Sequence, residues 1–453
     1  MTKFSTKDRN KFLKQTIALS IPIILQMLLI NGVTFADTLM IGQLGETSIA
    51  AVGVASQMFF LVTMFLYGIT SAGGIFFSQF WGAKDKHGIQ KVLGIIIVFS
   101  VIICGIAALL STLFPSVVMN IFTKDAAVIE SGSTYLRIVG FSYILSAISF
   151  SYAVGLRSTG DAKTPLIISL ISLSIDVIGN YLLIFGIGLF PELGIAGAAI
   201  STSVSRIVEV LLYWIITAAR KDCPIKFSFK YSLNFDRPFV KRFFKVAMPV
   251  VINDVLWSVG MVCYKIAYSK IGTDALAAVQ VIESINNLFF VSISGLGSAV
   301  AIIVGTKIGQ DKEDEAHLYT IFSLFFAVIL GLIVGILIFI ISPVFVEQFN
   351  INKDVTEMAI NSLKILAILQ PLKALTMVEV VGVLRGAGDT TYSMLLEMGS
   401  IWLIGVPVAF ISVLVFKMPL PLIYLMVGSE ELTKLFIGLK RIKSKKYIHN
   451  LVN

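Results

Sequence analysis

Charge is scarce in this chain: of 453 residues only 14% are Asp, Glu, Lys or Arg, while 57% are hydrophobic. A water-soluble domain has about a quarter charged and about half apolar residues, so a soluble globule is excluded. Cysteine is nearly absent. Cys104, Cys223 and Cys263 form an odd set with neither a disulfide framework nor metal-site spacing. The three histidines, His87, His317 and His449, fall in or beside expected loops and the tail, so no histidine relay crosses the apolar segments. No Walker-type phosphate loop occurs, which removes nucleotide hydrolysis as an energy source.

What is present is a succession of apolar windows about 20 residues long, the length a helix needs to cross a bilayer. They lack the alternation of a barrel strand, and only helices or closed barrels satisfy the backbone in lipid. The fold class is therefore an all-α polytopic membrane protein. Twelve transmembrane helices are expected at 15–42, 48–78, 91–114, 134–157, 164–187, 193–219, 241–270, 275–306, 317–342, 359–385, 390–414 and 419–438. Glu430, Glu431 and Lys434 interrupt the last. Lys11 and Lys14 precede the first, but it is too long for a signal-peptide core and no small-residue cleavage site follows, so it is expected to be retained.

The net charge of +9 does not point to nucleic acid, because the basic residues are not gathered on one face but fall in alternate loops. With the N-terminus placed inside, 27 of the 36 Lys and Arg lie in cytoplasmic segments. The opposite loops hold four, Lys124, Lys270, Lys353 and Lys417. The remaining five, Arg137, Arg206, Lys265, Lys364 and Lys373, lie within or at the edges of spans. Both termini are expected in the cytoplasm, with the chain in the cell membrane among lipid.

Sliding the sequence on itself by 227 residues pairs Pro22 with Pro249, Gly45 with Gly272 and Ala50-Ala51-Val52 with Ala277-Ala278-Val279. The same register pairs Gly68 with Gly295, Ser71-Ala72 with Ser298-Ala299 and Gly82 with Gly309. A shift of 228 then pairs Pro115 with Pro343 and "LRSTGDAKT" (156–164) with "LRGAGDTTY" (384–392). The chain reads as two pseudo-symmetric six-helix lobes: 1–218, a basic cytoplasmic linker at 219–245 leading into the seventh helix, and 241–453. Six is even, so both lobes enter the membrane from the same side. Parallel repeats of this kind are a transporter architecture, with a cavity where the two lobes meet.

Polar residues inside such spans are costly and mark function by default. Asp37 lies five residues before Gly42, or roughly 8 Å inside the outer end of the first span. In the fifth span Asp176 and Asn180 are four apart and share a face. Thr202, in the sixth, reaches a similar depth. Two carboxylates, an amide oxygen and a hydroxyl are hard ligands suited to Na⁺, and two close carboxylates equally suit a shared H⁺. The plainer alternative is that these groups hydrogen-bond helices together. The repeat register places Tyr264 at the twin of Asp37 and Ile404 at the twin of Asp176, so the second lobe is expected to lack the constellation.

The second half has its own intramembrane charges, Asp254, Glu283, Glu379 and Glu397, with Lys265 and Lys373. Asp254 is expected near the midplane, in reach of a cationic substrate. Glu379 and Glu397 are expected toward the cytoplasmic end, snorkelling to Arg385 or water. Tyr67, Trp257, Met261 and Tyr264 are polarizable or aromatic side chains that suit an adaptable cavity, although residues of these types at helical spacing also serve plain packing. The paired "TGD" and "AGD" read as turns, a glycine ending one helix and an aspartate capping the next. Arg206 and Glu209, at i and i+3, are expected to neutralise each other.

The stretches "ALSIPIILQMLL…FADTLMIGQLG…IAAVGVASQ", "LRSTGDAKTP", "VLRGAGDTT", "GNYLLIFG…GIAGAAISTSVSR" and "W…GVPVAF" resemble the multidrug and toxic compound extrusion (MATE) family over the whole chain. The resemblance implies twelve helices in two lobes and export of drugs or metabolites in exchange for inward Na⁺ or H⁺. It also implies that Asp37, Asp176, Asn180 and Thr202 stand where the family holds its cation. One departure is visible: the family pattern has the amide before the carboxylate in the fifth helix, and here the order is Asp176 then Asn180. The expectation is a monomeric antiporter of small organic cations, with no cofactor beyond its coupling ion. A flippase or exporter of lipid-linked or other polar precursors would want many buried cations in the cavity, and only Lys265 and Lys373 are candidates. An enzyme or receptor would want a nucleophile motif, metal cluster or sensory domain, and none is recognisable.

Overall fold

A computed structural model describes residues 6–234, 236–349 and 351–452. Every regular element among them is helical. The first eight helices are α1 Thr6–Gly42, α2 Glu46–Gly82, α3 Lys86–Leu113, α4 Pro115–Phe122, α5 Ala126–Val139, α6 Ser142–Ser158, α7 Lys163–Phe185 and α8 Ile195–Ala219. A single-turn α9, Phe229–Ser232, precedes α10 Arg237–Ser269, α11 Thr273–Gly309, α12 Glu313–Val346 and α13 Lys353–Met377. α13 continues as a π-helix, Val378–Arg385. α14 Thr390–Ser400, a π-helical turn Ile401–Gly405 and α15 Val406–Leu414 follow, then α16 Leu420–Val427 and α17 Ser429–Lys443.

Ten of the described helices are long and apolar enough to cross a membrane, or eleven when α5 and α6, bent by 50°, are taken as one broken span. The twelfth expected span is covered by α16 and α17. The break between them sits at Gly428, beside Glu430, Glu431 and Lys434, which are too polar to pass as a plain apolar helix. The protein is thus a multi-pass, all-helical membrane protein of the expected class.

Local sequence explains many of the boundaries. Asp85 caps α3 by accepting from the Gly88 N–H at 2.9 Å, Asp125 caps α5 from Ala127 at 2.9 Å, and Asn352 caps α13 from Val355 at 2.8 Å. α7 ends on Gly186 in the left-handed region, where a side chain would be strained. The backbone repeats the sequence duplication: Gly160 (φ 93°) and Gly388 (φ 88°) are twins at shift 228, and Lys84 (φ 60°) and Asp311 (φ 56°) are twins at shift 227.

Two compact units emerge, one of Leu25–Ala247 and one of Met1–Ile24 with Met248–Asn453. The changeovers fall inside α1 and α10, beside the matched Pro22 and Pro249. Each early half-helix is anchored by aromatics in its unit. Phe12 is fully buried among Tyr319, Phe322 and Phe326, with ring centroids 5.1 to 6.1 Å away. Phe243 packs on Phe76 at 5.5 Å, and Phe239 on the same ring at 6.3 Å.

The segment after α17 is tied down. Tyr447 is fully buried between His317 and Thr320, Lys445 pairs with Asp314 at 2.7 Å, and the His449 N–H donates to the Ala387 carbonyl at 3.0 Å.

Candidate functional site

In the first unit α1, α7 and α8 bring their polar residues to one place. The Asn180 amide donates from Nδ2 to Asp37 Oδ1 at 2.8 Å. Asp176, one turn earlier on α7, is buried like Asn180, while Asp37 is half-buried. The two carboxylates are within electrostatic reach of each other and of Arg206. The hydroxyls of Ser201, Thr202 and Ser205 on α8 approach the Asp176 carboxyl. Ser201 also donates to the Asp176 backbone carbonyl at 2.8 Å, which fastens α8 to α7 at this level.

Asp176 Oδ1 and Asn180 Oδ1 are both buried without a hydrogen-bond partner. A buried acceptor left unmade costs about 1–3 kcal/mol, more for a charged one, a cost that a further partner at these oxygens would relieve. The donor set of carboxylate, amide and hydroxyl oxygens fits Na⁺ or H⁺ and does not fit a soft transition metal. Among the described residues no group of three or more His, Cys, Asp or Glu is placed to hold a metal ion.

Arg206 is bound to Glu209 at 2.7 Å, the expected i, i+3 pair, so part of its charge is already answered. Beside the cluster, between α1 and α7, lies a mainly apolar cleft of about 560 Å³ lined by Ala36, Leu39, Met40, Gln43, Tyr181, Phe185 and Ile187. Ala36 and Tyr181 are the chain neighbours of Asp37 and Asn180. Tyr67, also in this unit, is partly exposed and meets Phe150 edge-on at 5.5 Å.

The other candidate residues lie in the second unit and do not form one group. Asp254 is engaged by Arg385 at 3.1 Å, and the same guanidinium holds Glu397 at 3.0 Å. Asn253 adds a 2.8 Å hydrogen bond to Glu397. Glu283 pairs with Lys265 at 2.8 Å. Trp257 is partly exposed, and Met261 packs against the apolar core of the unit. Tyr264 is buried and donates its hydroxyl to Glu430 of α17. Glu379 does not snorkel toward Arg385 as the sequence suggested: it is fully buried with both carboxylate oxygens unpartnered, because it packs against α17 at Gly438 instead. The turn aspartates diverge as well. Asp161 caps α7 by accepting from Thr164 N–H at 3.0 Å, but Asp389 makes no such cap and binds Arg441 at 2.8 Å.

The second unit does lack carboxylates at the twins of Asp37 and Asp176, yet it carries a polar cluster that sequence reasoning passed over. Lys434 pairs with both Glu430 and Glu431 at 3.3 Å, and Thr376 donates to Glu431 at 2.5 Å. The signal was in the repeat: the 228 shift sends Thr202 to Glu430 and Arg206 to Lys434. The acid missing from α10 has its counterpart on α17.

Comparison with known proteins adds to this geometry. The family model MatE matches residues 22–182 and 249–411, one copy in each half of the chain. Among curated relatives, "Probable multidrug resistance protein NorM" of Thermotoga maritima is 26% identical over 415 residues, 90% of this chain and 87% of that protein. "Probable multidrug resistance protein YoeA" of Bacillus subtilis is 26% identical over 394 residues, 86% of this chain and 85% of that one. A solved structure, "Crystal structure of MATE in the bent conformation", superposes with a TM-score of 0.86 at 19% identity and covers 96% of both chains.

Proposed function

The chain belongs to the MatE family of multidrug efflux transporters, not enzymes, and from that premise we propose that it is a secondary antiporter that exports amphipathic, cationic organic compounds in exchange for inward Na⁺ or H⁺. The observation that carries the reading is the Asn180–Asp37 hydrogen bond beside the unpartnered Asp176 oxygen. A charge-assisted contact among unmet oxygens is a place where a cation changes the local balance.

In this mechanism the empty cluster permits drug to bind. A cation arriving from outside takes the oxygens of Asp37, Asp176, Asn180 and Thr202, repacks α1 against α7 and α8, and drives release. An ion shifts such an equilibrium only as far as it binds one state better than the other. The unmet acceptors of Asp176 and Asn180 supply that difference, since they gain a partner only in the loaded state. The apolar cleft of about 560 Å³ beside the pair lies in the size range of small-molecule sites. Asp254 offers a cationic substrate a carboxylate in the second unit, with Trp257 and Met261 as adaptable contacts. The protein works as a monomer in the plasma membrane with both termini in the cytoplasm, as its basic loops favour.

The reading is tested with sealed vesicles containing the full chain and a fluorescent organic cation, under separately imposed Na⁺ and H⁺ gradients. Movement of the dye driven by one of the gradients is expected. Movement indifferent to both gradients would overturn the antiport reading.

A further inference from the structure

α1 is fastened to α7 at two levels, and only the outer one belongs to the cation cluster. Eleven residues before Asp37, the Gln26 amide donates from Nε2 to the Ser169 hydroxyl at 2.7 Å, with the Pro165 carbonyl at 3.5 Å. Gln26 and Ser169 are both buried. They are 143 residues apart in the chain, and so are Asp37 and Asn180. The two helices therefore run side by side in the same direction without a change of register. Eleven residues make about three turns, so Gln26 and Asp37 share one face of α1, and Ser169 and Asn180 share one face of α7.

The inner bond is duplicated. At shift 227 Gln26 pairs with Asn253, and at shift 228 Ser169 pairs with Glu397. Asn253 donates from Nδ2 to Glu397 Oε2 at 2.8 Å, which ties α10 to α14 as Gln26 ties α1 to α7. In both helices the amide stands four residues after the matched proline, Pro22 or Pro249. In both, the amide oxygen is buried with no partner among the described residues. The outer bond is not copied: the twin of Asp37 is Tyr264, and the twin of Asn180 is Val408, which has no side-chain donor.

The place of the inner bond explains what it does. A proline gives no N–H to the carbonyl four residues before it and crowds that carbonyl, so α1 and α10 are weakest at Pro22 and Pro249. α1 passes from one compact unit to the other between Ile24 and Leu25. Gln26 is the first polar side chain beyond the weak point. Apolar contact gives helices in lipid little to hold their rotation, whereas a hydrogen bond between them fixes height and rotation together.

We propose that Gln26 is a positioning residue for the cation site: its bond to Ser169 sets the register and rotation of α1 on α7, and so places Asp37 opposite Asn180. The inner bond, present in both units, is the fixed point. The outer bond, present in one, is the part an arriving ion reworks. The proposal deepens the antiport reading and rests on it for its transport readout.

The test uses the full chain in lipid vesicles as wild type, Gln26→Met, Ser169→Ala, Asn180→Leu and the double variant Gln26→Met with Asn180→Leu. Methionine keeps the length of glutamine and removes its N–H. The cation concentration for half-maximal dye transport is measured, together with hydrogen–deuterium exchange of residues 25–42 by mass spectrometry. Gln26→Met and Ser169→Ala are expected to raise that cation concentration roughly 2- to 12-fold, the scale of one neutral hydrogen bond, and to leave the half-maximal dye concentration unchanged. In the double variant the rise over Asn180→Leu is smaller than the rise Gln26→Met causes in wild type, because the pair it aligns is already broken. Exchange of residues 25–42 increases in Gln26→Met while that of 9–21 stays as in wild type. An unmoved cation concentration in Gln26→Met, or effects in the double variant that simply multiply, overturns the proposal and leaves Gln26 as packing. Should Gln26→Met fail to fold, an unmoved cation concentration in Ser169→Ala does the same. Wild-type transport indifferent to both gradients would sink the antiport reading instead, and exchange then decides the anchor: no increase over residues 25–42 overturns it.

Discussion

Asn180 on α7 and Asp37 on α1, 143 residues apart in the chain, are joined by a single 2.8 Å hydrogen bond from amide to carboxylate. Asn180 donates through its Nδ2 while its own Oδ1 is left open, so one side chain both steadies the acid and has an acceptor to spare.

Replacing Asn180 by Leu removes both functions while keeping the bulk. Hydrogen bonds to charged groups are worth about 1.5–3 kcal/mol, so the cation concentration for half-maximal transport is expected to rise roughly 10- to 100-fold. A titration of transport against the driving cation measures this.

Arg385 satisfies Asp254 and Glu397 together, with only 9% of its side chain exposed. Arg385→Met strands two acids in a low-dielectric site, and a loss of about 3–5 kcal/mol of stability is expected. The triple variant with Asp254→Asn and Glu397→Gln recovers most of it. Thermal unfolding of the three proteins in the same detergent reads out the difference.

Gly405 lies where the Tyr264 hydroxyl meets Glu430, and a methyl there would collide with both. Gly405→Ala is expected to cost about 1–3 kcal/mol by overpacking, seen as a lower Tm. Combining it with Tyr264→Phe, which removes the colliding hydroxyl, returns part of the loss.

Asp161, in the turn between α6 and α7, gives a pH signature. Burial alone would push its carboxyl up, but the Thr164 hydroxyl and N–H and the Arg220 guanidinium, 2.6 Å away, outweigh it and hold the group below the usual carboxylate range. A depressed acid stabilises the fold above its unfolded value of about 4 and loses that contribution as pH falls through the folded value. Wild type is therefore expected to lose Tm on acidification below about pH 4, and Asp161→Asn to lose less over the same interval.

The class, the helical spans and the duplication were legible because each rests on a one-dimensional signal: apolar length, loop charge or register. The grouping of Asp37, Asp176, Asn180 and Thr202 was legible from depth along each helix, since residues at equal depth on neighbouring helices meet. The partners of Arg385 and Glu379 were not. Which face of a helix turns toward which neighbour depends on packing, and Glu379 packs against Gly438 of α17. Tyr264 illustrates the same limit: its aromatic character suggested a cavity wall, while its hydroxyl is used inside the unit by Glu430.

The central claim is that Asp37 couples ion entry to export, and gradient-driven transport by Asp37→Asn in sealed vesicles tests it most directly. Asparagine keeps the size of the side chain and its contact with Asn180 while deleting the charge. Transport driven by the Na⁺ or H⁺ gradient is expected to fall at least about tenfold, the scale of one lost charge-assisted contact, with the protein folded and drug binding retained. Gradient-driven transport equal to wild type would contradict the account.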